Sequence, residues 1–144
     1  MHVPVQVDYG VRALVDLAEH SNKGTVRASE IAGRQGIPEQ YLARVLHTLQ
    51  RNGITRAQRG PTGGHELAKG PDEITMGAVM NTLGTPISLV SCLDNASNCG
   101  HSPKCGQRGV WQEVEQAMWG VLNSTTIADL VERAKANERE AIAV

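Results

Sequence analysis

The glycine-rich run Arg59-Gly60-Pro61-Thr62-Gly63-Gly64 constrains this chain more than any other stretch, because strand-like segments flank it on both sides. Ile54-Thr55-Arg56-Ala57-Gln58 leads in and His65-Glu66-Leu67-Ala68 leads out, a pattern that predicts an antiparallel hairpin closed by a glycine turn. A lone two-stranded hairpin is marginal in water, so it must rest on an apolar neighbour.

That neighbour is legible upstream. From Gln6 to Glu19, Val7, Val11, Leu14, Val15 and Ala18 recur at helical spacing, with Tyr9 and Ala13 widening the stripe, and Ser21-Asn22-Lys23-Gly24 ends the helix. After an extended Thr25-Val26-Arg27, Ser29 is placed to cap a short second helix through Arg34, and Gly36 stops it. Pro38 suits the first turn of a third helix whose Tyr41, Leu42, Val45, Leu46 and Leu49 form a buried stripe ending at Asn52-Gly53. Helix, tight turn, helix and hairpin in that order predict a winged helix-turn-helix, with the helix from Glu39 to Arg51 entering a DNA major groove and the wing beside it.

Past Lys69-Gly70-Pro71 the pattern changes. Ile74, Met76, Val79, Met80 and Leu83 predict a short helix closing the domain, and Gly84-Thr85-Pro86 reads as a linker. Val110, Trp111, Val114, Ala117, Met118, Val121 and Leu122 then lie at helical spacing over more than three turns. A long apolar stripe in so small a chain calls for a partner, and two-fold dimerisation is the simplest supply. Such a dimer sets two recognition helices one DNA turn, about 34 Å, apart. Thr126 is placed to cap a last helix through Leu130 and Val131, with a polar tail from Lys135 expected to fray. The expected class is therefore mainly α with a small β-wing. The expected units are a DNA-binding domain over 1–84, a linker and cysteine loop over 85–108, and a dimerisation helix with C-terminal helix and tail over 109–144.

The chain has no Phe, two Trp and two Tyr among its 144 residues, so its core must be aliphatic. Residues 1–69 carry nine Lys or Arg against six Asp or Glu, while residues 70–144 carry five against nine, so the first half is the one to face a polyanion. No basic N-region with an apolar stretch opens the sequence and no run is long enough to span a bilayer, which predicts a cytoplasmic protein with no membrane partner.

Only three cysteines occur, Cys92, Cys99 and Cys105, all in one loop rich in Gly, Asn and Ser. An odd count in a reducing compartment argues against disulfides. Three thiolates make a soft anionic site for iron–sulfur or zinc, and either needs a fourth donor. Asp94 and His101 are local donors; Asp8 would have to arrive from another helix or a second subunit. Structural zinc sites commonly include a cysteine pair two to four residues apart, and the shortest gap here is five, which favours iron–sulfur over a zinc-stabilised winged helix with a purely structural loop. A thiol enzyme with His101 as base ranks last, since no orienting group or substrate pocket is legible and no small-molecule substrate is expected.

Tyr41-Leu42, the wing run Arg59-Gly60-Pro61-Thr62-Gly63-Gly64-His65-Glu66-Leu67-Ala68, and a three-cysteine loop before a long helix resemble the IscR/NsrR/RirA family of bacterial iron–sulfur transcription regulators. The resemblance covers nearly the whole chain. It implies a homodimeric winged-helix regulator that binds promoter DNA and holds a cluster through Cys92, Cys99 and Cys105, with redox state, nitric oxide or iron supply changing its promoter affinity. In the IscR pattern a histidine follows the third cysteine by three positions, where this chain has Arg108. The NsrR pattern takes an aspartate from the first helix of the other subunit, and Asp8 matches it. A thiolate and carboxylate shell without that histidine favours [4Fe-4S] over [2Fe-2S], although the first cysteine gap is one residue longer than in either pattern, and His101 stays a competitor. For DNA, Gln40, Tyr41 and Arg44 at the start of the third helix, Ser29 on the second, and Arg59, Gly60 and Pro61 in the wing are the candidate contacts. Ala43 removes one polar reader, and His47 reads as a solvated residue.

Overall fold

A computed structural model describes residues 2–85 and 88–143. Pro86 and Ile87, at the end of the expected linker, lie outside the described residues. The elements run α1 (Val5–Glu19), α2 (Ala28–Gln35), α3 (Glu39–Arg51), β1 (Thr55–Gln58), β2 (Gly64–Leu67), α4 (Met76–Leu83), α5 (Ser91–Asp94), α6 (Gly106–Ser124) and α7 (Ile127–Ala143), with short 3₁₀ turns between. This is the expected mainly helical fold with a small β-wing.

The aliphatic stripes pack as their spacing requires. One cluster joins Val7 and Leu14 of α1 to Val45 and Leu49 of α3, Val79 and Leu83 of α4, and Ile127 of α7. A second joins Ala13 and Leu17 of α1 to Ile31 of α2 and Leu42 and Leu46 of α3. Because α1 and α3 each contribute to both, the recognition helix is fixed against the first helix along its length. Gly36, with φ of +63°, makes the left-handed residue that ends α2 and turns the chain toward α3, a conformation that a side chain disfavours.

The hairpin pairs Thr55 with Leu67 and Gln58 with Gly64 in antiparallel register. Val26 adds a bridge on the other edge, exchanging backbone hydrogen bonds of 2.8 and 2.7 Å with His65. The wing therefore rests on the chain between α1 and α2 as well as on α3.

Two expectations need correction. Ser29 does not cap α2: the helix begins at Ala28, Arg27 is the flanking residue, and the Glu30 carboxylate accepts from the Arg27 backbone N–H at 3.2 Å. The early acidic side chain takes the N–H of the flanking residue, a different donor from the first-turn N–H that a capping serine accepts from. The tail from Lys135 is not frayed either, for α7 continues to Ala143. Thr126 starts α7 as expected, accepting from the Asp129 N–H at 3.1 Å while Asp129 accepts from the Thr126 N–H at 2.9 Å. Backbone bonds from Met76 to Thr125 and from Ile127 to Ile74 tie the start of α7 to the start of α4, and α7 then runs back along α1. No helix among the described residues is long and apolar enough to cross a membrane.

Candidate nucleic-acid interface and cysteine loop

The amphipathic pattern of α3 turns Gln40, Ala43, Arg44, His47 and Gln50 to solvent while Leu42, Val45, Leu46 and Leu49 face the core. Gln40 and Arg44, one turn apart, present a forked amide and a forked guanidinium on that open face, the groups suited to adenine and guanine edges. Ser29 is exposed on the first turn of α2. Tyr41 is half-buried with its ring edge-on to Tyr9 of α1, centroids 5.3 Å apart, so it anchors α3 with most of its surface.

Arg59, Gly60 and Pro61 are exposed at the wing tip. Gly60 has φ of +106°, accessible to glycine and strained for other residues, which is why the turn needs it there. The tip is held from behind: an Arg27 Nη2 donates to the Pro61 carbonyl at 2.8 Å and the Thr25 hydroxyl to the Thr62 carbonyl at 2.8 Å. Arg27 belongs to this site although it escaped the sequence reading. An exposed arginine before a helix carries no signal of a bond to a residue 34 positions later. His65, inside the wing, has a buried Nδ1 without a hydrogen-bond partner, and burial holds its pKa below the ordinary 6.5.

A second missed group lies beneath the turn between α2 and α3. The Asp16 carboxylate is fully buried and accepts from Arg34 Nη2 at 2.7 Å, Arg34 Nε at 2.9 Å and the Gln35 amide at 3.1 Å. Desolvation pushes its pKa up, but the hydrogen bonds from Arg34 and Gln35 with the nearby charges outweigh that and leave it below the ordinary 3.8. The stripe gave no sign of it: Asp16 lies on the side of α1 away from Val7, Val11, Leu14 and Ala18.

The expected loop is more structured than its composition suggests. Cys92 lies on α5, Cys99 follows a 3₁₀ turn at Ala96–Asn98, and Cys105 immediately precedes α6. Polar bonds set the path. The Asn95 side chain accepts from the Ser97 N–H at 3.0 Å, the Asn98 amide donates to the Ser91 carbonyl at 3.1 Å, and Arg108 Nε reaches the Cys92 carbonyl at 3.4 Å. All three thiols are free and half-buried. Asp94 and His101 are exposed. Asp8, in the first turn of α1, is paired with Arg12 at 3.0 Å and lines a cleft of about 630 Å³ with Val3, Val11, Met80 and Leu122. Among the described residues no three His, Cys, Asp or Glu side chains converge on one point. The donor set is nonetheless that of a soft metal centre: three uncommitted thiols on short segments whose only buried side chain is Ser102.

On α6, Val110, Trp111, Val114 and Val121 are exposed and no residue is buried, while Trp119 and Leu122 pack on the main core.

These features have counterparts in known proteins. The regulator IscR of Serratia proteamaculans is 34% identical over 123 residues, 85% of this chain and 74% of that protein. IscR of Erwinia tasmaniensis is 33% identical over the same shares. Among solved structures, CymR, described as the global cysteine regulator of B. subtilis, superposes with a TM-score of 0.79 at 28% identity, covering 92% of this chain and 98% of that one. T. potens IscR gives 0.74 at 30% identity, covering 93% and 88%. The relatives are named as transcriptional regulators, not enzymes. Residues 4–133 match the family Rrf2, described as iron-dependent transcriptional regulators, and with the winged helix already in place the chain belongs to that family of DNA-binding regulators.

Proposed function

We propose that this chain is an iron–sulfur-dependent regulator that binds promoter DNA as a homodimer, its DNA affinity set by a cluster held on Cys92, Cys99 and Cys105. One observation carries the reading: three free, half-buried thiols share a segment with no apolar core of its own, directly before a helix with an uncovered apolar face. A polar loop of this kind gains most from an inorganic centre. Residues 85–108 form the cluster segment and 109–144 supply dimer contacts, with Val110, Trp111 and Val114 buried against a second copy.

The fourth donor is Asp8 of the partner subunit, in preference to His101 or Asp94, because the position that carries histidine in the IscR pattern is Arg108. A thiolate and carboxylate shell suits [4Fe-4S], and the bound cluster supplies a centre sensitive to oxidants, nitric oxide and iron shortage. In that set the carboxylate would be the weakest donor. Gln40 and Arg44 read bases, Tyr41 positions them, Ser29 meets phosphate, and Arg59-Gly60-Pro61 follow the adjacent minor groove.

Anaerobic native mass spectrometry with iron and sulfide analysis tests this. The expected species is a dimer with iron and acid-labile sulfide, lost when any one cysteine becomes serine. A colourless protein holding zinc, with unchanged DNA affinity on metal removal, would assign the loop a structural role only.

A further inference from the structure

We propose that Arg27 and Thr25 are positioning residues that set the pose of the wing, and with it the reach of Arg59, before DNA arrives. The proposal rests on the reading of the wing as a groove contact. Three successive residues between α1 and α2 hold the hairpin. The Thr25 hydroxyl donates to the Thr62 carbonyl and an Arg27 Nη2 to the Pro61 carbonyl, each at 2.8 Å, while Val26 between them exchanges two backbone bonds with His65. Side chains two apart in an extended segment share a face, so the outer residues grip the turn while the middle one continues the sheet.

The turn needs that grip because its own hold is slight. Residues 59–63 join the strands, and the bond that closes them runs from the Gly63 N–H to the Gly60 carbonyl at 2.9 Å. Glycine loses more backbone freedom on ordering than any other residue, so a turn built on Gly60 and Gly63 and left to itself would sample many poses, carrying Arg59 with it. Gly64 serves the seat directly. A Cβ there would lie 2.7 Å from the Val26 carbonyl oxygen, so glycine is what lets the strand approach this closely.

Arg27 also joins the wing to α2. Its backbone N–H donates to the Glu30 carboxylate at 3.2 Å, in the turn that carries Ser29, so the start of α2 and the tip of the wing share one residue. An uncharged companion separates two roles that the arginine alone would confuse. Arg27 is exposed and cationic and could meet phosphate itself, whereas Thr25 carries no charge and can act on DNA binding only through the shape of the turn.

The test uses the full-length chain and a duplex selected by the wild-type protein from a random-sequence library. Affinity is read by anisotropy over a series of salt concentrations for wild type, Arg27→Met, Arg27→Lys, Thr25→Val and Arg59→Ala, and for Arg27→Met and Thr25→Val each combined with Arg59→Ala. Arg27→Met should weaken binding roughly three- to tenfold and Thr25→Val roughly two- to fivefold, while Arg27→Lys, which keeps a donor, should retain most of the affinity. Both losses should lower the magnitude of the salt slope, although Thr25→Val removes no charge, and both should nearly vanish once Arg59 is Ala. Amide exchange at Gly63 in the free protein should rise in Arg27→Met and in Thr25→Val. An additive cycle, a salt slope untouched by Thr25→Val, or exchange at Gly63 indifferent to both residues would overturn the proposal. Arg59→Ala without effect on affinity or slope would remove the wing from DNA and this proposal with it, whereas an effective Arg59→Ala with an additive cycle leaves the wing on DNA and makes Arg27 a direct phosphate contact.

Discussion

Replacing Arg34 by Met should invert the way stability depends on pH near Asp16. In the wild type the buried carboxylate accepts two hydrogen bonds from Arg34 and one from Gln35, and its pKa lies below 3.8. The native state therefore binds fewer protons than the unfolded chain at acid pH. The stabilisation is fully present above 3.8 and is lost as pH falls through the depressed value. Methionine fills much of the same volume and removes both donors. Deleting one partner of a buried pair costs about 3–5 kcal/mol, and about 3 is expected here because Gln35 still donates and the Arg34 side chain is 39% exposed in the native protein. For a chain of this size that lowers Tm by roughly 10 °C.

The informative part is the sign. Desolvation is the largest single influence on Asp16, and without Arg34 only the Gln35 hydrogen bond and the His20 charge oppose it, so the carboxyl should rise above its ordinary value. The native variant then binds the proton more tightly than the unfolded chain, and stability present below 3.8 is lost as pH rises through the new value. Urea unfolding should show a deficit of about 3 kcal/mol at pH 7 that shrinks toward pH 4. Adding Asp16→Asn to Arg34→Met should recover stability at neutral pH by removing the charge. A deficit independent of pH, or a double variant weaker than Arg34→Met at neutral pH, would refute the account.

Arg44→Ala or Gln40→Ala should weaken binding to the selected duplex by about 1–3 kcal/mol with far less change on random DNA, as read by anisotropy. Arg59→Ala should weaken binding to both and lower the magnitude of the salt slope by about one. Val114→Glu places a carboxylate on the apolar face of α6, and at about 3 kcal/mol per unpaired burial it should raise the dimer dissociation constant more than a hundredfold in sedimentation experiments. His65, held neutral by burial, contributes stability that is full above 6.5 and declines as pH falls below it. Thermal melts of His65→Gln should lose that slope.

The first 83 residues were readable because their information is periodic. Leu42, Val45, Leu46 and Leu49 announce a buried helical face, and the glycine run announces the hairpin, from local residue types alone. What escaped was non-local polar pairing: Arg27 with Pro61, Arg34 with Asp16, Arg12 with Gln35, each across 18 to 34 positions. Surface arginines have no period, so nothing marks which carbonyl or carboxylate each will find. The cysteine loop was legible in its donors and not in its path, since α5 and the 3₁₀ turns are held by Asn and Ser side chains that equally support other turns. Ser29 misled for a related reason: serine and Glu30 both satisfy an early helix N–H or its neighbour, and the longer side chain reached back first.

The distribution of dry and polar contacts explains why such a molecule could act as a switch. The first helix and the recognition helix share two aliphatic clusters, so α3 moves only with α1, and loosening it independently would expose buried Leu and Val at about 25 cal/mol per Å². Between Ser88 and Arg108 no apolar side chain is buried, so that segment can be rearranged without opening either cluster. The links from α1 to the end of α2 are charge-assisted hydrogen bonds, the Arg34–Asp16 ion pair and the Arg12 bond to the Gln35 carbonyl, directional unlike the aliphatic contacts around them. Under the proposed function, a change at the thiols would therefore leave the two aliphatic clusters closed, a division that a uniformly hydrophobic junction would not permit.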